Sequence, residues 1–174
     1  MKHRRLTAVI AAVLFGAAPV GQTFAALPDG ASSLNETYQD WRVTCVSDGT
    51  NDRCAMVHNQ VAKDSGQRVL TVELNAPAAD QAQGVLVMPF GLALAEGVSL
   101  TIDTDSDGPT FGFSTCLPQG CLVPIQFDAA MLDRLKNGGV LHVRAKPVDG
   151  SDRVDIQASL NGFTAAFNRL NALR

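Results

Sequence analysis

The sequence is poor in the residues from which most active sites are built. Its 174 residues include three histidines, one tryptophan and one tyrosine. It has no Gly-x-x-x-x-Gly-Lys loop to cradle phosphates, no Gly-x-Gly-x-x-Gly after a strand and no His-Glu-x-x-His, which removes the commonest nucleotide and zinc-protease chemistries. One Trp and one Tyr cannot supply the two aromatic girdles of an outer-membrane barrel. Positive charge is not in excess either: 14 Lys and Arg against 17 Asp and Glu give a net charge of −3. That balance lacks the basic footprint that phosphate backbones require, so no nucleic-acid partner is expected. Past the N-terminal segment, no run reaches the ~18 apolar residues of a spanning helix. Repeats and low-complexity blocks are absent, and the length suits a single domain.

What is present begins with an export signal. Lys2, His3, Arg4 and Arg5 form a positive start, followed by a mostly apolar run from Leu6 to Val20 with helix-breaking Gly16 and Pro19 near its end. Thr23-Phe24-Ala25 places small side chains where a signal peptidase accepts them, so cleavage is expected between Ala25 and Ala26. The apolar run is shorter than the ~20 residues of a bilayer span, which favours a signal peptide over 1–25 rather than an anchor. Loss of Lys2, Arg4 and Arg5 leaves eleven bases against seventeen acids, a mature net charge of −6. The first cysteine, Cys45, lies too far downstream to receive a lipid.

Residues 26–37 are turn-rich and aperiodic and read as a flexible lead-in, with the folded domain over 38–174. From Trp41 onward apolar residues recur at every second position, the pattern of strands with one buried and one wet face. Trp41, Val43 and Cys45 alternate with polar neighbours, as do Leu70, Val72 and Leu74, then Val98, Leu100 and Ile102. The same period returns at Phe111 and Phe113, at Cys121 to Phe127, at Leu141 to Ala145 and at Val154 to Leu160. This is an antiparallel pattern; only Val85 to Met88 is continuously apolar, as a parallel strand would be. Turns such as Ser47-Asp48-Gly49, Asp107-Gly108-Pro109 and Asn137-Gly138-Gly139 separate the segments and suit a sandwich or barrel. Two helices are expected: one over Asp128 to Lys136 capped by Asp128, and a terminal one from about Gly162 to Leu173. Phe163, Ala166, Phe167, Leu170 and Leu173 form one stripe of the latter, which reads as a lid packed on a sheet.

Four cysteines follow the signal, as Cys45-x8-Cys54 and Cys116-x4-Cys121. In an exported protein such thiols are expected to oxidise. A Cys45–Cys54 bridge would join neighbouring strands across a polar turn, and Cys116 and Cys121 flank a Pro- and Gly-bearing turn. Four cysteines still allow three connectivities, and the crossed ones stay open at this point. Zinc fits poorly, because structural pairs lie two to four residues apart and the first pair is separated by eight. A redox dithiol would need Cys-x-x-Cys, which neither pair forms. No metal or cofactor is expected from this set.

Asp103-Thr104-Asp105-Ser106-Asp107-Gly108 opens like a calcium loop, with oxygen ligands at alternate positions. The match fails at the twelfth position, where Ser114 replaces the bidentate Glu, so Asp103, Asp105 and Asp107 read better as an acidic hairpin turn. His58 and His142 fall in strand-like segments without a nucleophile motif beside them. No residue is singled out as catalytic, and an enzyme is not expected.

Trp41-x3-Cys45, Cys54-x-Met56, Pro89-Phe90-Gly91-x-x-Leu94-x-x-Gly97-Val98, Cys116-x3-Gly120-Cys121 and Ser159-Leu160-x-Gly162-Phe163-x-x-Ala166 occur in this order. Together they resemble the invasion-associated locus B family of bacterial proteins, over about 38–173. The resemblance implies an immunoglobulin-like β-sandwich, exported to the periplasm or secreted by a Gram-negative bacterium, with local pairing of the cysteines and no established catalytic activity. It also implies a protein partner at the envelope or a host surface, for which invasion or colonisation is one use. A periplasmic module binding a small ligand or metal is the alternative.

Overall fold

Alternating sequence becomes alternating burial in the computed structural model, which describes residues 27–174. The expected signal peptide and its Ala25–Ala26 cleavage point lie outside the described residues. The strands are β1 (Ser33–Tyr38), β2 (Trp41–Ser47), β3 (Asp52–Val61), β4 (Arg68–Ala78), β5 (Gln81–Met88), β6 (Val98–Ile102), β7 (Thr110–Phe111), β8 (Thr115–Leu117) and β9 (Gly120–Phe127). Helix α1 (Ala129–Asn137), β10 (Val140–Ala145), β11 (Val154–Ser159) and α2 (Phe163–Ala172) complete the chain. A seven-stranded sheet has the order β1-β2-β3-β4-β5-β9-β8, and a four-stranded sheet the order β11-β10-β6-β7. All pairings within the two sheets are antiparallel.

The all-β sandwich class expected from the sequence, with a short helix and a terminal helix packed on it, is what the structure contains. In β2, Trp41, Val43 and Cys45 are buried while Arg42 is exposed; in β9, Cys121, Val123, Ile125 and Phe127 are buried. The continuous run Val85 to Met88 is not a parallel strand. It lies in β5, antiparallel to both β4 and β9, with Leu86 and Met88 in the core. Val85 and Val87 are partly covered on the other face, which is why the run looks apolar throughout.

The N-terminal boundary differs from expectation. Leu27 is buried, and residues 33–37, placed in the flexible lead-in by sequence, belong to β1 and pair with β2. The inward row of β1 is Leu34, Glu36 and Tyr38, and it is only half-buried. One aliphatic side chain in that row is too weak a period to read from sequence.

The helices follow their expected signals closely. Asp128 caps α1 by accepting from the Met131 amide at 2.9 Å, satisfying one of the orphan donors of the first turn. In α2, Phe163, Ala166, Phe167 and Leu170 are buried against β1, β2, β3 and β4. The rings of Phe163 and Phe167 stack with centroids 6.1 Å apart. Full burial of side chains this large contributes roughly 1.5–3 kcal/mol each. Gly162 precedes α2 at φ +86, and a Cβ there would lie 2.0 Å from the Tyr38 carbonyl oxygen. Only glycine allows the helix to start so close to the β1–β2 turn.

Covalent and ionic ties brace the seven-stranded sheet. Cys45 and Cys54 face each other in the β2–β3 register and are bonded, with Cα atoms 4.1 Å apart. Cys116 and Cys121 do the same across β8 and β9, at 3.9 Å. Both are the close, non-hydrogen-bonded type of cross-strand pair. Arg169 of α2 grips Glu36 of β1 through two bonds, Nε to Oε2 at 2.7 Å and Nη2 to Oε1 at 2.9 Å, and the Tyr38 hydroxyl donates to Oε2 at 2.8 Å.

Two outcomes are expected. Replacing Cys45 and Cys54 together by Ala should lower the unfolding free energy by about 2–3 kcal/mol in the chain-entropy model, and the shorter Cys116–Cys121 loop should give somewhat less; denaturant midpoints measure both. The Arg169 guanidinium, then the Tyr38 hydroxyl, hold the Glu36 carboxyl below its ordinary value of 4.5. A carboxylate depressed by folding stabilises the protein above its unfolded-state pKa, and that stability is lost as pH falls through the folded value. Glu36→Gln should therefore reduce stability at neutral pH and show a shallower further loss than the parent at steps below pH 4.5.

Candidate functional site

Among the described residues, one exposed aromatic side chain marks a groove at one end of the sandwich. Phe90 is 61 % exposed in the Pro89-Phe90-Gly91 segment that leaves β5. Gly91 adopts φ +85 with nothing within 4 Å of a built Cβ, so glycine serves the turn conformation here rather than making room. Two loops are tied together beneath Phe90. Ala93 donates to the Lys146 carbonyl and Val148 to the Gly91 carbonyl, each at 2.8 Å, and Leu92 bridges to Pro147. The turn therefore holds Phe90 outward on a fixed base.

The groove encloses about 570 Å³. The end of the β3–β4 hairpin forms one wall through Val61 and Lys63, β11 the other through Val154, Ile156 and Gln157, and Leu92 and Pro147 close its base. Val61 and Val154 are exposed, and Val148, beside the base, is 72 % exposed. Val154, which the alternation placed inward, sits at the end of the sheet and is left partly open to solvent, at 37 % exposure. Clustered exposed apolar residues in a concavity are a feature of docking surfaces, whereas scattered ones are not.

Charge around the groove is unevenly satisfied. Asp155 of β11 is held on the outer face of the four-stranded sheet by His142 Nδ1 at 2.8 Å and Arg144 Nε at 3.5 Å. Lys63 forms no ion pair among the described residues. Among the described residues its ammonium is the one charge of the lining without an ion-pair partner.

A second cleft of about 620 Å³ lies at the opposite ends of β5 and β9, over Phe111, Phe127 and Met131. Phe111 meets Phe127 edge to face at 6.3 Å. Gln81, Gln83 and Gln126 ring the opening. Arg134, also at the rim, is paired with Asp105.

The sequence-derived candidates separate rather than converge. Asp103 accepts from the Gly139 and Val140 amides, at 3.0 and 2.8 Å to Oδ1, while Asp105 turns to Arg134 and Asp107 to Ser106. Their oxygens are directed at different partners, as in a structured hairpin. His58 is a core residue: Nδ1 lies 2.8 Å from the Asp40 carbonyl oxygen and must donate to it, and the ring packs 5.4 Å from Trp41. His142 and Asp155 are arranged like the base and orienting acid of a triad. The hydroxyl opposite them, Thr101 Oγ1, instead accepts from Arg144 Nη1 at 2.9 Å. Of the groove residues, Phe90 enters the sequence reading only in the family signature and Val154 only as an alternating strand position, and Val61 does not enter it. A signal existed for Phe90, because an aromatic between Pro and Gly belongs to a turn, and turns run over the surface.

Comparison with known proteins places this geometry among relatives. The family described as invasion associated locus B (IalB) protein matches residues 41–171. An invasion protein B homolog of Brucella abortus is 50% identical over 149 residues, 86% of each chain. Invasion protein B of Bartonella bacilliformis is 32% identical over 152 residues, 86% of this chain and 81% of that one. The crystal structure of invasion associated protein B from Bartonella henselae superposes with a TM-score of 0.74 at 32% identity, covering 80% of this chain and 96% of that one. Among the described residues no helix is long and apolar enough to cross a membrane.

Proposed function

The chain belongs to the invasion associated locus B family, and from that premise we propose that it is an exported, non-catalytic domain that docks a protein partner at the Phe90 groove. The observation that carries this reading is Phe90 itself, a large apolar side chain turned to solvent by a pinned loop beside Val61 and Val154. Aromatic anchors of this kind dominate the energetics of protein interfaces. Export through a signal peptide ending at Ala25, to the periplasm or beyond, supplies the oxidising conditions that the two disulfides need. The names of the Brucella and Bartonella relatives point to invasion as one setting for such docking.

A small-ligand role is the second reading, favoured by the cleft with an aromatic floor and glutamine rim. It predicts saturable stabilisation by a ligand, lost on changing Gln83 or Gln126.

The docking reading is tested by crosslinking in intact cells, with partners identified for the parent, Phe90→Ser and Gln83→Ser. The expected result is a mature protein starting at Ala26 whose discrete protein adduct survives Gln83→Ser and disappears with Phe90→Ser. Adducts identical in all three would remove the groove from consideration.

A further inference from the structure

We propose that the occupant of the groove is an extended polypeptide strand that adds to the free edge of β11, with apolar side chains at alternate positions and a carboxylate beside Lys63. The inference rests on the docking function proposed above and specifies what is docked and how.

The ladder between β10 and β11 decides which backbone groups are free. Leu160 donates to the Gly139 carbonyl, so in this antiparallel register the groups of Val154, Ile156, Ala158 and Leu160 point to β10. Those of Asp155, Gln157 and Ser159 point away from it. The far half of this edge is closed within the domain. The Trp41 indole donates to the Ser159 carbonyl at 2.9 Å, and the Asp40 amide to the Asn161 carbonyl at 3.3 Å. Asp155 and Gln157 have no such partners among the described residues, and both border the groove.

Sheet edges are normally guarded by Pro, Lys, bulges or great shortness. β7 and β8, at two and three residues, are guarded by shortness, and β1, as long as β11 and also without Pro, borders neither cleft. β11 runs for six residues without Pro, and its single charge, Asp155, is drawn back onto His142 and Arg144. An unguarded edge facing an apolar concavity is suited to strand addition, where backbone bonds give affinity and pockets for alternate side chains give specificity. Charge selects the occupant further. Asp155 is already compensated, so the remaining demand is for an anion at Lys63. Within β11 a second copy would offer only Asp155, already held by His142 and Arg144, and no free carboxylate for Lys63.

The test selects binders for the oxidised exported protein from a random peptide display library. The enriched peptides are then synthesised with and without N-methyl groups at alternate residues. Expected are sequences alternating apolar residues with Asp or Glu, and shifts of the Asp155 and Gln157 amide resonances on binding. Affinity should fall about tenfold with N-methylation, the scale of one or two lost backbone bonds, and comparably with Lys63→Glu or Gln157→Pro. Proline is tolerated where an edge amide points to solvent, and N-methylation reads the same contact without altering the protein. Loss of binding in Phe90→Ser with indifference to N-methylation and Gln157→Pro would overturn strand addition while leaving the docking face standing. Binding indifferent to Phe90→Ser as well would overturn both. Failure to enrich any peptide, or concentration-dependent dimers abolished by Gln157→Pro, would also overturn this occupant.

Discussion

Trp41 is where the two sheets and the terminal helix meet. It is 1 % exposed on β2, its ring packs edge to face on Phe163 of α2 at 5.1 Å, and its indole N–H is bonded to Ser159 of β11 in the other sheet. A buried indole needs an acceptor, and here the acceptor is a carbonyl that the edge of β11 would otherwise leave unpaired. One hydrogen bond therefore satisfies a core donor, joins the layers and closes half of a sheet edge. What it does not reach, at Asp155 and Gln157, is the part of that edge beside Phe90.

The remaining ties support this junction from both sides. The Cys45–Cys54 bridge lies on the strand that carries Trp41, and Gly162 lets α2 begin against the β1–β2 turn so that Phe163 can reach the indole. Arg169 and Glu36 then hold the helix to the edge strand β1. The bridge between Cys116 and Cys121 acts elsewhere, fixing the three-residue β8 to β9 at the other margin of the large sheet. With this interior arrangement rigid, the Pro89-Phe90-Gly91 loop can present an apolar ring to solvent without depending on that ring for stability.

Much of the fold was legible because it follows from period and punctuation. Alternation at Trp41, Val43 and Cys45 gave β2, Asp128 gave the start of α1, and the Phe163 to Leu170 stripe gave the buried face of α2. The failures share a cause. β1 carries too few apolar residues to show a period, Val85 to Met88 shows too many, and both patterns reflect the strand's place in the sheet, which a single segment does not encode. The groove was illegible for the same reason. It is assembled from β3, the loop after β5 and β11, and nothing in Val154 to Ser159 says that one side of that strand has no neighbour. Only Phe90 carried a local clue.

In the docking function proposed above, β11 is left unfinished beside the Phe90 groove, while disulfides, an indole hydrogen bond and a helix lid hold the interior. In that function β11 is open at Asp155 and Gln157 and sealed toward β10. Hydrogen exchange of the oxidised protein, resolved by residue, measures this directly. Slow exchange is expected at Val154, Ile156 and Ala158, alternating with fast exchange at Asp155 and Gln157. Uniform protection along β11 would contradict it, because the edge would then be covered by the domain itself or by a second copy.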